Sequence, residues 1–331
     1  MFDHYIALDW AQRNMAISRM TKESTEVKGI DVPSSLKDLK LYLSRLRGRK
    51  ILTFEETTTA QWLYVELRGC VDEVVICDPY RNHLLSEGAK TDSLDAKRLV
   101  QLLRAGLLKP VFHTLDQLIG LRKLVSGYDD LVQMGVRLKN QRSALFRAQS
   151  KGKREKKLED SVEVFVLKGI DQQIEFYEAE KDRYEIEIGR QGRQHRMIRH
   201  LDELSGIGPI GALKIAARVV DAKRFKDKGC WLSYCGLIRH EKLSGGKSYG
   251  WRSPRYCRTM KSVFKTAAMS VIGSSGENAF KEYYRFLLEE KGYVEHQARH
   301  ALARRIAVVA WGVMKNGKRF EAERILKKIK S

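Results

Sequence analysis

Short apolar runs separated by polar turns open the chain and predict β-strands. Residues 4–10 and 13–20 have the length and the apolar character of strands, and residues 26–32 form a third candidate. The brief connections between these runs predict a meander. Further apolar runs at 51–55 and 74–77 add two strands.

Apolar residues at helical spacing separate the later strands. Ser34 or Ser35 can cap a helix whose apolar positions are Leu36, Leu39, Leu43 and Leu46. Two more helices are predicted near residues 62–67 and 92–103. Three strands followed by alternating helices and strands predict a mixed α/β sheet flanked by helices, in the order found in ribonuclease-H-like domains.

The pattern changes after residue 115 to long helices rich in Lys, Arg, Glu and Gln. No proline occurs between Pro110 and Pro209, and segments such as 174–188 lack a broad apolar face. This pattern predicts paired helices or an interaction arm with a spacer or dimerisation role. Later helices at 254–270, 277–289 and 296–314 predict a helical C-terminal domain.

The segment Leu-Ser-Gly-Ile-Gly-Pro, which begins at Leu204, precedes an apolar helix that ends near Val220. Gly206 and Gly208 at a tight turn can leave backbone amides exposed at a helix start, where a phosphate binds. The segment therefore resembles a helix-hairpin-helix and makes both glycines candidate nucleic-acid contacts. The alternative is a Gly-Pro turn that only joins two helices.

The charge adds a polyanionic partner to this picture. The formal net charge is +21, and residues 221–331 alone hold 25 Lys and Arg against 10 Asp and Glu. Lys and Arg that neutralise phosphates release counterions whatever the base sequence, so we expect nucleic-acid affinity that is concentrated in the C-terminal part. A ribosome-associated or merely soluble basic protein is the alternative.

Cysteine usage and the N-terminus indicate the compartment. The five cysteines have no framework spacing, which favours reduced thiols. The N-terminus lacks a signal-type apolar run, and no segment reaches the ~20 apolar residues that span a bilayer. We therefore expect a cytoplasmic, nucleoid-associated protein without a membrane partner.

Four carboxylates stand out against the basic background. Asp9 and Glu55 lie at the ends of predicted strands and would share one end of the sheet if those strands are neighbours. Asp92 and Asp95 are three residues apart and lie on one helix face. Four such carboxylates can hold a pair of Mg²⁺ ions that promote phosphodiester cleavage.

Each carboxylate also has a simpler interpretation. Asp92 would make a good N-cap, and Asp95 in the first turn would favour the helix dipole. Glu56 sits beside Glu55, and strand alternation sends the two side chains to opposite faces. The choice between Glu55 and Glu56 stays open at this point.

Five segments, taken in order, resemble the DEDD transposases of the insertion-sequence one-ten group. These segments are Ile-Ala-Leu-Asp-Trp-Ala, Phe-Glu-Glu-Thr-Thr, Lys-Thr-Asp-Ser-Leu-Asp-Ala, Leu-Ser-Gly-Ile-Gly and Tyr-Cys-Gly-Leu followed by Leu-Ser-Gly-Gly-Lys-Ser. The group is related to the Piv and MooV DNA invertases and includes bridge-RNA-guided recombinases. The resemblance implies a RuvC-like domain over residues 1–112, a coiled-coil arm over 113–200 and a C-terminal transposase domain over 201–331.

The resemblance also implies roles for individual residues. It implies Mg²⁺ ligation by Asp9, Glu55, Asp92 and Asp95, and it assigns the nucleophile on DNA to Ser244. The neighbouring glycines would permit close approach to a phosphate, and Lys247 and Arg252 are candidate phosphate contacts. Ser248 is the nearest rival nucleophile, and the alternative for Ser244 is a position in a flexible turn.

Two departures from the family pattern bear on these roles. Thr57–Thr59 follow the acidic pair where the family commonly has a glycine, which leaves the choice of glutamate open. Gly246 and Lys247 follow Ser244 in place of a more serine-rich stretch, which weakens any role for neighbours of that serine.

The implied activity is cutting and rejoining of donor and target DNA through a phosphoserine intermediate. The family takes its specificity from a bridge RNA, and its members act as dimers that pair into tetramers, in which one subunit's carboxylates meet another's serine. One rival interpretation is a RuvC-like nuclease that hydrolyses DNA with a metal-bound water. The other is a non-catalytic nucleic-acid-binding protein whose carboxylates only cap helices.

Overall fold

The computed structural model describes residues 1–80, 92–115, 117–149, 161–323 and 325, with the backbone alone for 92–94 and 148–149. The chain divides into two compact units, Met1–Leu115 and Asp116–Ser331. Each unit has its own core.

The first unit is a mixed sheet with helices on both faces. Its elements are β1 (His4–Trp10), β2 (Asn14–Thr21), β3 (Lys28–Pro33), α1 (Leu36–Arg45), β4 (Lys50–Glu55), α2 (Ala60–Leu67), β5 (Glu73–Cys77) and α3 (Asp92–Arg104). The strand order is β3-β2-β1-β4-β5, with β1 to β3 antiparallel and β4 and β5 parallel to β1. The predicted mixed α/β sheet is confirmed, and its order is consistent with a ribonuclease-H-like domain.

Strand alternation separates the core of this unit into two layers. Ile6 and Leu8 of β1 pack on the face that α1 and α2 cover, with Leu39 and Leu63 among their neighbours. Ala7, which lies between them in sequence, packs on the opposite face with residues of α3. Ser35 rather than Ser34 caps α1, because its hydroxyl accepts from the Asp38 amide at 3.2 Å.

The second unit is helical apart from one hairpin. Its elements are α4 (Leu121–Gln149), α5 (Ser161–Gln194), α6 (Arg196–Asp202), α7 (Gly208–Val219), α8 (Lys228–Tyr234), β6 (His240–Ser244), β7 (Lys247–Arg252), α9 (Arg258–Gly273), α10 (Ala279–Glu289) and α11 (Glu295–Asn316), with short 3₁₀ turns at Gln117–Ile119 and Ala222–Arg224. The helix predicted from Pro254 begins at Arg258, because residues 253–257 form an irregular connection that bends at Arg255 and reaches the extended N-cap Cys257.

Close contacts between α4 and α5 explain why this pair of long helices stays together. A Cβ at Gly135 would lie 2.3 Å from the Tyr177 ring, so only glycine lets that ring approach α4. The Tyr128 hydroxyl donates to Glu185 at 2.8 Å, and burial together with this carboxylate raises the pKa of Tyr128. The predicted pairing of long helices is confirmed within the described residues.

The core of the second unit is centred on Trp231. This side chain is fully buried, and its indole nitrogen donates to the Ala307 carbonyl at 2.7 Å. Phe225 and Phe264 pack edge-on against the same ring. In the parts of the chain that the structure describes, no helix has the length and apolar character needed to cross a membrane.

The turn between α6 and α7 is explained mainly by packing. Gly206 has φ +88°, and a Cβ there would lie 2.4 Å from the Ala267 carbonyl oxygen on α9. Gly208 has φ +64° at the first residue of α7, and a Cβ there would meet open space. Gly206 is therefore needed for close approach of α9, whereas the phosphate contact expected at Gly208 stays a prediction.

We expect Gly206→Ala to destabilise the chain by roughly 1–3 kcal/mol more than Gly208→Ala, because both strain a left-handed backbone but only the first also meets a backbone oxygen. Urea unfolding of the two variants measures the difference. Equal losses would contradict the packing explanation for Gly206.

Candidate active site

Asp9 and Glu55 lie at the carboxyl ends of two neighbouring strands. The parallel ladder between β1 and β4 pairs His4 with Lys50 and Ala7 with Thr53. The same offset, continued to the ends of the strands, brings Asp9 level with Glu55. Neighbouring strands are about 4.8 Å apart, so the two carboxylates start from adjacent backbone positions.

Both carboxylates belong to the sheet face that α3 covers. Ala7 of β1 and Ile51 of β4 pack with α3 residues, and alternation sends Asp9 and Glu55 to the same side as those two residues. Both side chains are half-buried. The sheet therefore directs two candidate ligands toward one helix.

Helix α3 brings the other two predicted ligands to the first unit's sheet. The helix begins at Asp92 and packs against β1 and β2, so both aspartates lie in its first turn. Asp95 is half-buried, and its carboxylate is 3.8 Å from Arg98. The side chain of Asp92, and the preceding Lys90 and Thr91 of the quoted segment, lie outside the described residues.

The described side chains do not by themselves form a complete metal-binding site. Among the residues that the structure describes, no three His, Cys, Asp or Glu side chains are grouped closely enough to hold an ion. What Asp9, Glu55 and Asp95 share is a sheet face and a covering helix. They offer hard carboxylate oxygens, which are the ligands that Mg²⁺ prefers.

Glu56 has a different structural role from Glu55. Its carboxylate lies 2.5 Å from Nε2 of His113, a ring that is 4% exposed. Nδ1 of the same ring lies 2.6 Å from Gln61, whose amide nitrogen donates to the Thr114 carbonyl at 3.1 Å. Glu56 thus anchors the segment that follows α3, and this supports Glu55 as the candidate ligand. Sequence reasoning missed His113, because no local pattern links it to Glu56.

Ser244 lies in the second unit, at the end of β6 in a hairpin that the sequence interpretation did not predict. Gly245 and Gly246 form the two-residue turn with φ +55° and +76°, as a type I′ turn requires. Ser244 pairs with Lys247 across this turn. All residues of β6 and β7 are exposed, and no partner for the Ser244 hydroxyl is found among the described residues.

The hairpin has one basic face and one partly apolar face. Ser244 pairs with Lys247 and His240 pairs with Arg252, and alternation along β6 puts Lys242 on their side. The opposite face carries Leu243, Ser248 and Trp251. The register shifts between Glu241 and Leu243, where β7 has one extra residue near Gly250 at φ +88°. Ser244 therefore shares a face with cations, whereas its rival Ser248 does not.

Comparison with known proteins identifies relatives of both units. A family profile for DEDD transposases of the IS110 type, described as Transposase, matches residues 6–148. A second, described as Transposase IS116/IS110/IS902 family, matches residues 198–285. The insertion element IS116 uncharacterized 44.8 kDa protein of Streptomyces clavuligerus is 27% identical over 121 residues, which is 36% of this chain and 30% of that protein. The aligned segment thus spans less than a third of the relative's length.

We expect Asp9→Asn and Glu55→Gln to weaken Mn²⁺ binding by at least about tenfold, since each removes a charged oxygen from the α3 face. Glu56→Gln is the matched control. It should keep the affinity for Mn²⁺ and lower the free energy of unfolding by less than about 1 kcal/mol, because the carboxylate is partly exposed. Titration followed by electron paramagnetic resonance measures the binding. Loss of affinity in Glu56→Gln alone would reverse the assignment.

Proposed function

Because the chain belongs to the IS110 family of insertion-element transposases, we propose that it cuts and rejoins DNA with Ser244 as the nucleophile. The observation that carries the proposal is the position of Ser244. It lies opposite Lys247, on the basic face of a fully exposed hairpin, beside two glycines that leave the serine sterically open. A phosphate can approach such a serine closely.

The first step exchanges one phosphodiester for another. Oγ of Ser244 attacks a DNA phosphorus, the Oγ–P bond forms, and the bond from phosphorus to a sugar oxygen breaks. The serine proton ends on the departing sugar oxygen. Lys247, Lys242 and Arg252 share the hairpin face with Ser244 and would offset the negative charge that develops on the phosphate.

The second step reverses the first on a different strand. A sugar hydroxyl attacks the phosphoserine, the Oγ–P bond breaks, and Ser244 recovers its proton. The number of phosphodiester bonds is unchanged, so rejoining needs no nucleotide hydrolysis. Donor and target DNA are the proposed substrates. A bridge RNA is the proposed guide, which the basic surface of the second unit could bind as it binds DNA.

The proposed ligands for divalent metal are Asp9, Glu55, Asp92 and Asp95. Their donor chemistry fits Mg²⁺, since all four are carboxylates and the described ones are half-buried at one end of the sheet. A bound pair of ions would stabilise charge on the attacking and departing oxygens. The β1–β4 ladder holds Asp9 and Glu55 at adjacent strand ends, and the first turn of α3 supplies Asp92 and Asp95.

We expect Ser244→Ala to abolish a covalent protein–DNA adduct, because Ser244 is the serine that the hairpin register puts on the basic face beside the glycine turn. The assay combines donor and target DNA, Mg²⁺ and the transcript that flanks the gene, and it separates adduct from free DNA on a denaturing gel. Ser248→Ala is the matched control and should still form adduct, since this residue pairs with Leu243 on the opposite face.

The same assay distinguishes the rival functions. Cleavage that survives Ser244→Ala but not Asp9→Asn would make the protein a hydrolytic nuclease. DNA binding that survives both changes, with no cleavage by the wild type, would make it a non-catalytic binding protein.

We expect a mixture of Ser244→Ala and Asp9→Asn copies to regain recombinant product that neither variant makes alone. The reason is that the proposed assembly joins the serine of one copy to the carboxylates of another. Product formation by co-expressed variants with separate affinity tags measures this. If the mixture stays inactive while wild type is active, serine and carboxylates of one copy act together and the shared site is wrong.

A further inference from the structure

A basic cavity lies where the hairpin β6–β7 joins the rest of the second unit. Its volume is about 880 Å³, and it opens to solvent. Residues 236–239, which lead into β6, line it together with Ser253, which follows β7. Six of the lining side chains are basic, and these are Arg239, Lys261, Lys265, His296, His300 and Arg304. The cavity is therefore continuous along the chain with the strands that carry Ser244.

The cations of the cavity form two stripes on packed helices. Lys261 and Lys265 are four residues apart on α9, and His296, His300 and Arg304 continue the same spacing on α11. Like charges at this spacing destabilise a helix. The pair Lys261 and Lys265 therefore opposes folding unless an anion offsets its charge.

The positive charge of the cavity is not balanced by carboxylates among the residues that the structure describes. No carboxylate lines the cavity or forms an ion pair with Lys261, Lys265 or Arg304 in the described part of the chain. Burial, followed by the charges of Lys265 and Arg304, lowers the pKa of His300. Lys261 also lies over the Tyr256 ring at 4.4 Å, a cation–π contact that adds no negative charge to the cavity. The site is thus suited to a multiply charged anion such as a nucleic-acid backbone.

The length of β6 sets the distance between this cavity and Ser244. Five residues of extended chain separate Arg239 from Ser244, which corresponds to roughly 16 Å at a strand rise of about 3.3 Å per residue. Phosphates of one DNA strand advance by about 3.4 Å along the helix axis per nucleotide. Because the strand also winds around this axis, with a full turn in about 10 base pairs, a phosphate on the same side of the duplex lies only a few nucleotides away, and one strand can contact both positions.

We propose that this cavity binds a backbone phosphate of the DNA strand that Ser244 attacks, a few nucleotides from the scissile bond. This inference rests on the proposed function, since Ser244 defines the strand. DNA is favoured over RNA because the cavity borders the hairpin that carries the nucleophile. The bound phosphate would hold the strand along the basic face of the hairpin and so fix which linkage meets the serine.

The test measures DNA affinity in the full-length Ser244→Ala protein without Mg²⁺, so that no chemistry intervenes. The probe is a duplex that spans the junction of the element and its flanking DNA. We expect Lys261→Gln/Lys265→Gln to weaken binding by about tenfold or more and to reduce the slope of log K against log salt by up to about two. The control Lys223→Gln/Lys226→Gln removes the same charge at exposed lysines outside the cavity. It should change the DNA affinity and the salt slope far less.

Two further readouts separate a binding role from a structural one. The cavity variant should unfold at the same or higher urea concentration, because a like-charge pair is relieved. A single methylphosphonate linkage, moved along the strand, should weaken wild-type binding most at one position within a few nucleotides of the scissile bond and should have no added effect there in the cavity variant. Equal effects of both lysine pairs, or a uniform response along the strand, would overturn the proposal. If the cavity variant loses affinity only for the RNA transcript that flanks the gene, the cavity is an RNA site and the proposal is also overturned.

The outcomes for this cavity and for the proposed function are distinguishable. Loss of DNA affinity in the cavity variant, together with no adduct in the wild type, would refute the serine chemistry and leave a phosphate site. An adduct in the wild type, together with unchanged DNA affinity in the cavity variant, would refute the phosphate site alone.

Discussion

Backbone hydrogen bonds between β1 and β4 set the geometry on which the candidate site of the first unit depends. The two strands run parallel with a constant offset, so their carboxyl ends coincide and Asp9 comes level with Glu55. The same strands carry the central core residues of both sheet faces. Placement of the carboxylates therefore follows from the pairing that builds the core, and no special loop is required to bring them together.

The second unit supports a different kind of surface. Its core is buried around Trp231, while the hairpin that carries Ser244 is exposed along its whole length and is held by its own ladder and a glycine turn. A rigid helical base with an exposed two-stranded ribbon suits contact with a grooved polyanion, because such a ribbon fits the DNA major groove. The basic cavity at the foot of the ribbon extends that surface toward the helices.

Local pattern predicted the first unit well, because its strands and helices have clear apolar periodicity and one cap, at Ser35, that local sequence could find. The hairpin was missed because β6 and β7 are exposed on both faces and lack apolar alternation, although Gly245 and Gly246 between two short polar runs were a usable turn signal. The choice between Glu55 and Glu56 needed His113, which is 57 residues away and whose contact follows from tertiary packing.

The alternation of core and site residues along β1 makes a register shift and a single substitution at Asp9 differ in their effects on folding. Ile6, Leu8 and Asp9 lie on the same strand. A shift in the pairing of this strand that moved the Asp9 carboxylate would therefore also move Ile6 and Leu8 out of the core and unfold the chain. A single side-chain replacement at Asp9 carries no such penalty. It would leave a folded copy that still presents its basic hairpin to DNA, and a copy of this kind would compete with intact copies for the same sites. Under the proposed function, decay of the gene by point mutation would then turn the protein from a promoter of its element's movement into a restraint on it.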